Sequence, residues 1–360
     1  MLAKVDLEQA MRRAVELSRA VLGTTSPNPP VGAVVLDQHG VVVGEGATQP
    51  PGGPHAEVMA LQQAAGRGRT AVVTLEPCNH TGRTGPCSQA LLDAGITKVV
   101  VGCSEPSELA GGGVQALRAA GVEVVTGLLE PEVAEGPLSA WLHRQRTGLP
   151  LVTWKYAATL DGRSAAADGT SRWITGPEAR ADVHLLRSQA DAIVVGVGTV
   201  LTDDPQLTVR PAVPQGGSTR EGHQPLRVVV DSRGRTPATA KVLDDSARTL
   251  LVTTGPSYGE DRTLVLAGSD QVDLPALLKA LAARDVVSVL LEGGPTLAGA
   301  FLREGLVDRV IGYVAPALLG AGSAALGDLG VGTIQDAIRL KLTDVTRLGD
   351  DVRLTLVRRT

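Results

Sequence analysis

The sequence predicts an α/β protein of two domains, each a β-sheet flanked by helices. Three observations carry this. Over the first 145 or so residues, short apolar runs alternate with segments of helical period. In WLHRQRTGLP, Trp141 to Pro150, charge, Gly and Pro cluster without an apolar period and mark a boundary. Beyond it the alternation restarts, and 360 residues suffice for two such domains. The boundaries expected are 1–147 and 148–360.

The opening segment, MLAKVDLEQAMRRAVELSRAVLG, sets Leu7, Met11, Ala14, Val15 and Val21 at helical spacing among charges, with Gly23 as a stop. That pattern is a helix and not a signal peptide. VGAVVLD (31–37) and VVVGEG (41–46) flank the turn signal QHG and predict a hairpin. HAEVMALQQAAG (55–66) predicts a helix with Val58, Leu61, Ala64 and Ala65 on one face. TAVVTLEP (70–77) is a buried strand, and PCSQALLDAG (86–95) a short helix with Pro86 at its start and Gly95 past its end. KVVVGC (98–103), VQALRAAG (114–121) and VEVVTG (122–127) follow as strand, helix and strand. A hairpin followed by alternating units predicts a mixed sheet with helices on its faces.

In the second half the expected strands are LVTWKYAA (151–158), AIVVGVG (192–198), LRVVVD (226–231), TLLVTT (249–254), VVSVLLEG (286–293) and RVIGYVAP (309–316). Helices fit EARADVHLLRSQA (178–190), DLPALLKALAAR (273–284) and TLAGAFLREG (296–305). PAVPQGGSTREGHQP (211–225) has no period and predicts an exposed loop.

Composition narrows the class. The chain is 43% hydrophobic and 20% charged, which places it among folded globular proteins. With one Phe and three each of Tyr and Trp, the core must be aliphatic. A net charge of −4 argues against a nucleic-acid surface, which needs a basic field. No segment reaches the roughly 18 apolar residues of a membrane span. Without an export signal the expected compartment is the cytoplasm, where thiols stay reduced.

Two of the three cysteines lie nine positions apart in EPCNHTGRTGPC, Glu76 to Cys87. A disulfide is disfavoured by the compartment, and Cys103 in VVVGCSEP is expected to be a small buried hydrophobe. PHAE, Pro54 to Glu57, opens a helix upstream. H-x-E alone is weak. Followed by a strand ending in E-P-C and a second Cys at a helix start, it points to a metal site. His55, Cys78 and Cys87 offer three ligands that suit Zn2+, with the fourth position left to water. The helix dipole at Cys87 favours its thiolate. His80 as a fourth ligand would make the site structural instead.

An open site of this kind acidifies water, but expulsion of an amine also needs a proton on the leaving nitrogen. Glu57, two residues from His55, is placed to carry it. Zinc nucleobase deaminases use such a non-ligand Glu with a P-C-x-x-C pair, whereas here eight residues separate the cysteines. The insert NHTGRTGP carries His80 and Arg83, the latter either a solvated charge or a clamp on substrate.

In the second half, VVGVGTVLTDDPQLTVR (194–210) contains Gly196-x-Gly198 after a strand. The third Gly is missing and TDDP stops any helix within a few residues, so this is no dinucleotide fingerprint. LLEGGPTLAGAFL (290–302) ends a strand in Glu-Gly-Gly-Pro and starts a helix, whose free N–H groups form an anion site. Seen alone, it is equally an ordinary β–α turn.

TSPNPPVGAVV (25–35), GPHAEVMAL (53–61) and TLEPCNHTGRTGPC (74–87) resemble the deaminase half of the bifunctional riboflavin-biosynthesis deaminase/reductase family. The resemblance implies a cytidine-deaminase-like α/β/α fold with a mixed sheet. It also implies that Asn28 holds the pyrimidine and that His80 and Arg83 help bind substrate. One departure is Thr48, where the family often has a His before H-A-E.

WKYAATLDGR, GVGTVLTDDPQLTVR and LLEGGPTLAGAFL are similar to the reductase half of that family, which implies a dihydrofolate-reductase-like α/β fold and NADPH as cofactor. Carried over residue by residue, Ser171, Arg187, Leu207, Arg210 and Glu292 match substrate positions, with Arg187, Leu207 and Arg210 at those that hold the ribose phosphate. Ala157, Trp173, Thr199, Asp203, Ser232 and the run Gly294, Pro295, Thr296, Leu297, Ala298, Gly299 and Ala300 match cofactor positions. Lys155 and Asp203 are the candidates for polarising the sugar oxygen and moving its proton, unless either is a structural ion-pair member. The resemblance spans nearly the whole chain and fails only at 211–225 and 255–270.

The resemblance thus implies a zinc-dependent pyrimidine deaminase domain over 1–147 and an NADPH-dependent reductase domain over 148–360. The partners expected are a phosphorylated pyrimidine and a second copy of the chain, in a dimer. Neither nucleic acid nor membrane is expected. Two competing readings remain: a nucleic-acid or nucleoside deaminase with an unrelated partner domain, and a binding protein on a dead metal fold. The long insert and the scarcity of stacking aromatics oppose the first. The intact set of His55, Glu57, Cys78 and Cys87 opposes the second.

Overall fold

The computed structural model describes residues 4–80, 85–107, 110–210, 223–255, 259, 262–266 and 270–359. The chain divides into two compact units, Met1–Gly148 and Leu149–Thr360. Among the described residues no helix is long and apolar enough to cross a membrane.

In the first unit, α1 (Leu7–Ala20) starts on a capping box. The Asp6 carboxylate accepts from the Gln9 amide at 2.7 Å, and the Gln9 side chain accepts from the Asp6 amide at 3.0 Å. Its buried face is Ala10, Met11, Ala14, Val15 and Ser18, near the expected stripe. The strands are β1 (Gly32–Leu36), β2 (Val42–Ala47), β3 (Thr70–Leu75), β4 (Lys98–Cys103) and β5 (Glu123–Thr126). They form one mixed sheet in the order β2-β1-β3-β4-β5. The hairpin partner β2 and β3 both run antiparallel to β1, and β3, β4 and β5 run parallel. The helices α2 (Ala56–Ala64), α3 (Cys87–Asp93) and α4 (Gly113–Ala119) connect them, and α5 (Glu130–Ala134) and α6 (Ser139–Thr147) close the unit.

One expectation is corrected here. The buried residues of α2 are Ala56, Glu57, Ala60 and Ala64, whereas Val58 and Leu61 are half-buried and Ala65 is exposed. The physical reason is backbone-close packing on β2. A Cβ on Gly44 would lie 2.1 Å from the Ala60 carbonyl oxygen, and one on Gly46 2.3 Å from that of Ala56. Small residues on both sides let the helix approach, so size and not hydrophobicity selects the face. Gly44→Ala should therefore destabilise the first unit by about 1–3 kcal/mol through overpacking, read as a lower denaturant midpoint. The boundary segment 141–150 carries the end of α6, with Trp141 and Leu142 buried, and the two units divide within it, after Gly148. Helical hydrogen bonding needs no apolar period when only one turn is packed.

In the second unit the elements are β6 (Leu151–Thr159), α7 (Pro177–Gln189), β7 (Ala192–Gly196), α8 (Val197–Asp203), β8 (Leu226–Val230) and β9 (Thr249–Thr253). Then come β10 (Thr263–Val265), α9 (Leu274–Ala282), β11 (Ser288–Leu291), α10 (Pro295–Arg303), β12 (Arg309–Ala315), β13 (Leu340–Leu348) and β14 (Asp351–Arg358). They build a nine-stranded sheet in the order β10-β9-β8-β7-β11-β6-β12-β14-β13. All neighbours are parallel except β14, which is antiparallel to β12 and to β13. Val194, Val228 and Val252 pack on one face, and Ile193, Val229 and Leu251 on the other. Burial on both faces is why these strands read as unbroken apolar runs.

The expected strand 192–198 ends at Gly196, and α8 replaces its last two residues. That helix lasts seven residues and stops where Asp204 turns left-handed at φ 41°. The β13–β14 hairpin was not expected from the sequence. β13 is almost wholly exposed and its register shifts between Leu342 and Asp344, so no period-2 pattern survives. Of the expected loop 211–225, residues 211–222 lie outside the described residues. The Gln224 side chain accepts from the Val209 amide at 2.8 Å and donates to its carbonyl at 3.1 Å.

Candidate active sites

The first site is made where the start of α2 meets the β3–α3 loop. His55 is the residue before α2, and Cys87 is the first residue of α3. His55 Nδ1, Cys78 Sγ and Cys87 Sγ all lie within 4.8 Å of one another. Cys78 Sγ is 3.6 Å and Cys87 Sγ 3.3 Å from His55 Nδ1, and the Cys87 amide donates to Cys78 Sγ at 3.5 Å. The cysteines are free thiols. One borderline nitrogen and two soft sulfurs, converging from two loops, match the donor set zinc prefers. Among the described residues no fourth ligand joins them.

The electrostatics of the cluster are coupled. The hydrogen bond from the Cys87 thiol, with help from His55, holds the Cys78 thiol far below the usual range. The bond to Cys78 raises His55. Glu57 is 4% exposed. Burial lifts its carboxyl above the ordinary carboxylate range, and a hydrogen bond links it to the Cys87 thiol. A buried carboxyl with a raised pKa therefore sits beside a ligand of the site.

Sequence reasoning missed Glu76. Its carboxylate accepts from the Val114 amide at 3.0 Å and the Glu105 amide at 3.3 Å, tying the cysteine loop to the start of α4 and to the loop after β4. Nothing but its place in E-P-C could have signalled this. Ser88 adds a bond to Asn79 Oδ1 at 2.8 Å. Asn28 sits half-buried in a turn closed by its amide on the Thr25 carbonyl at 2.8 Å, and its side chain makes no hydrogen bond among the described residues. Among the described residues His80 does not join the metal cluster, and its buried Nδ1 has no hydrogen-bond partner. Arg83 lies outside the described residues. Thr48 is 3% exposed, and its hydroxyl accepts from the Val31 amide at 3.0 Å, so it anchors a strand end.

The second site is a cleft of about 760 Å³ along the C-terminal ends of β6, β11, β7 and β8. In open parallel sheets ligands bind at that edge. The structure brings Lys155, Ala157, Ser171, Thr199, Asp203 and Ser232 to its walls. Glu292 and the start of α10, namely Gly294, Pro295, Thr296, Leu297 and Ala300, complete them. Gly294 precedes α10 with no side-chain cap, so the first amides of the helix stay open to an anion. Volume, polarity and this helix start fit a dinucleotide.

Several carried-over residues stand differently from a contiguous run. Ala298 is fully buried in the core, and Gly299 faces Arg303 and Asp328. Helical period turns both away from the cleft while Leu297 and Ala300 face it. Ser232 Oγ accepts from the Val272 amide at 3.2 Å. Leu207 is 3% exposed with φ 54°, so its side chain belongs to the core and only its backbone could meet a ligand. Trp173 is 67% exposed, with the Arg180 guanidinium 4.6 Å from its ring centre.

Arg187 and Arg210 are not equivalent. Arg187 makes two bonds to Glu292, at 2.6 and 3.0 Å, and Lys155 Nζ lies 3.2 Å from the same carboxylate. Burial alone would raise Glu292, but the Arg187 and Lys155 charges outweigh it and hold the carboxyl well below its usual range. Arg210 is exposed, and its amide donates to His184 Nδ1 at 3.3 Å. Burial, and then Arg187 and Arg210, push His184 down to about 4, so it is neutral near pH 7. Asp203 accepts from Arg172 through its carbonyl at 2.7 Å, leaving its carboxylate without a hydrogen bond among the described residues.

Residues 4–103 match the family model described as cytidine and deoxycytidylate deaminase zinc-binding region, and residues 150–354 match the RibD C-terminal domain. With the two sites, these define the class: a two-domain enzyme, a zinc-dependent deaminase and hydrolase joined to an NADPH-dependent reductase. The riboflavin biosynthesis protein RibD of Mycobacterium tuberculosis is 50% identical over 356 residues, covering 98% of each chain. That of Escherichia coli is 42% identical, covering 97% of this chain and 99% of its own. A solved structure of Acinetobacter baumannii RibD superposes with a TM-score of 0.86 at 41% identity, covering 98% of this chain and 99% of its own. The chain belongs to the RibD family, the bifunctional deaminase/reductases of riboflavin biosynthesis.

Proposed function

We propose that the first unit hydrolytically deaminates 2,5-diamino-6-ribosylamino-4(3H)-pyrimidinone 5′-phosphate and that the second reduces the ribosyl chain of the product to ribityl. The observation that carries the first half is the convergence of His55, Cys78 and Cys87 beside the buried Glu57. A Thermotoga maritima protein of the same architecture, 35% identical, is titled a diaminohydroxyphosphoribosylaminopyrimidine deaminase and 5-amino-6-(5-phosphoribosylamino)uracil reductase.

His55, Cys78 and Cys87 would hold zinc, which would supply a water acidified to near-neutral pKa. Glu57 would pass one proton from the attacking water to the pyrimidine ring nitrogen and then carry the proton of the newly formed hydroxyl to the departing amine. The C–N bond breaks, ammonia leaves and a carbonyl remains. Asn28, His80 and Arg83 hold the phosphorylated pyrimidine.

In the second unit bound NADPH would supply hydride to the anomeric carbon as the ring C–O bond opens. Lys155, oriented by Glu292, protonates the released sugar oxygen, with Asp203 as proton relay. Arg210 binds the substrate phosphate through charge-assisted bonds, and Arg187 supports it from its fixed place on Glu292. Ser171 and the Leu207 backbone flank the pyrimidine. Ala157, Trp173, Thr199, Ser232 and the α10 start hold the cofactor. Ala298 and Gly299 shape that helix from behind.

The test is a split assay on the full chain. Chelator treatment should abolish ammonia release while leaving NADPH oxidation intact when the deaminated intermediate is supplied directly. Loss of both activities together would contradict two independent sites.

The chain works in the cytoplasm as a homodimer. What supports a dimer is the outer strand β13, which exposes Leu342 (51%) and Val345 (57%) on an unpaired sheet edge. Sedimentation should give twice the 37.1 kDa chain mass.

A further inference from the structure

We infer that His184 is a positioning residue for the reduction: it anchors the segment that carries Arg210 and so sets the affinity of the second unit for a phosphorylated substrate. This rests on the reading of Arg210 as the residue that binds the substrate phosphate. Residues 207–210 belong to no strand or helix, so no ladder of backbone bonds holds them. Side chains hold them instead. The Thr208 carbonyl accepts from the Arg187 guanidinium at 3.3 Å. The Gln224 side chain meets both the amide and the carbonyl of Val209, at 2.8 and 3.1 Å. The Arg210 amide donates to His184 Nδ1 at 3.3 Å.

The last of these bonds falls on the phosphate residue itself. Arg210 is exposed, so where its guanidinium stands follows from where its backbone is held. An Arg on an unanchored segment samples many positions, and binding then loses the free energy of ordering it. The His184 bond removes that loss before the substrate arrives.

Two of the anchors come from one face of α7. His184 and Arg187 stand three residues apart on it, which makes them neighbours on the helix surface. Arg187 is fixed in turn by its two bonds to Glu292, which ties this face to the end of β11. An imidazole accepts at Nδ1 only while that nitrogen carries no proton. Burial keeps the ring neutral near pH 7, with the Arg187, Arg210 and Lys155 charges acting the same way and Glu292 opposing them. The acceptor is therefore present at neutral pH, with the ring proton on Nε2.

Two neutral substitutions on the full chain test this, read by titration calorimetry with ribose 5-phosphate and by steady-state reduction of 5-amino-6-(5-phosphoribosylamino)uracil. His184→Asn places a carbonyl oxygen as many bonds from Cα as Nδ1 and keeps the acceptor. His184→Gln carries its oxygen one bond further out, at the reach of Nε2, and loses it. His184→Gln should weaken ribose 5-phosphate and raise KM by about 5- to 10-fold, the loss of one hydrogen bond, with kcat within about 2-fold of wild type. His184→Asn should match the wild type in both. If His184→Gln binds as tightly as the wild type, or His184→Asn is as weak as His184→Gln, the Nδ1 bond does not position the segment and the inference is wrong. A fall in kcat with KM unchanged overturns it equally, since His184 would then act on the chemistry. Arg210→Gln separates the underlying reading: if it leaves ribose 5-phosphate binding unchanged, the phosphate does not sit at Arg210, and that reading falls together with the inference.

Discussion

Glu57→Gln will release ammonia at a rate about 10²–10⁴-fold below wild type, the usual contribution of a positioned acid–base group. The substitution keeps size and shape at a buried position and removes only the proton-carrying ability. Zinc content per chain should stay at the wild-type value, because the ligand atoms are those of His55, Cys78 and Cys87. Reduction of the preformed deaminated intermediate should also be untouched, since that cleft lies in the other unit. Ammonia release at the wild-type rate would falsify the proton-carrier role. Loss of zinc would show instead that Glu57 supports the ligands through its bond to Cys87.

Glu292→Ala will lower the stability of the second unit by about 3–5 kcal/mol and abolish reduction. The carboxylate is the counter-charge of two largely buried cations, the side chains of Lys155 and Arg187, which are 17% and 14% exposed. Removing one member of such a cluster leaves uncompensated charge in a poor dielectric, which costs far more than the cluster gains as a whole. A double variant with Arg187→Leu should recover part of the loss, because it also removes one of the stranded charges. The sign with pH follows from the depressed Glu292 carboxyl. Its contribution is full above the unfolded value of about 4.3 and is lost as pH falls toward the lower folded value. Wild-type stability should thus drop more steeply below about pH 4 than that of Glu292→Ala. Denaturant unfolding followed at several pH values checks both statements; parallel curves would remove the ion cluster from the account.

Much of the fold was legible because local rules and burial agreed. The parallel strands of the second unit, buried on both faces, had to be continuous apolar runs, and 226–230 and 249–253 read that way. The face of α2 was misassigned because glycines on β2 made closeness of approach the deciding quantity, and a hydrophobic pattern does not carry distance. The hairpin β13–β14 stayed hidden because its outer strand is exposed along nearly its whole length.

For function, the sequence by itself determined the ligand set of the first site. His55, Glu57, Cys78 and Cys87 sit on local elements whose spacing aims them together, so residue type and order sufficed. It also offered the α10 start as a candidate anion site, and the structure leaves that helix start without a side-chain cap. Only the tertiary structure decided the rest. It sorted Ala298 and Gly299 away from the cleft, gave Arg187 to Glu292 and put Thr48 on the Val31 amide. Each depends on which strands become neighbours in the sheet. That order, with β11 between β7 and β6, comes from long-range packing that no window of sequence contains.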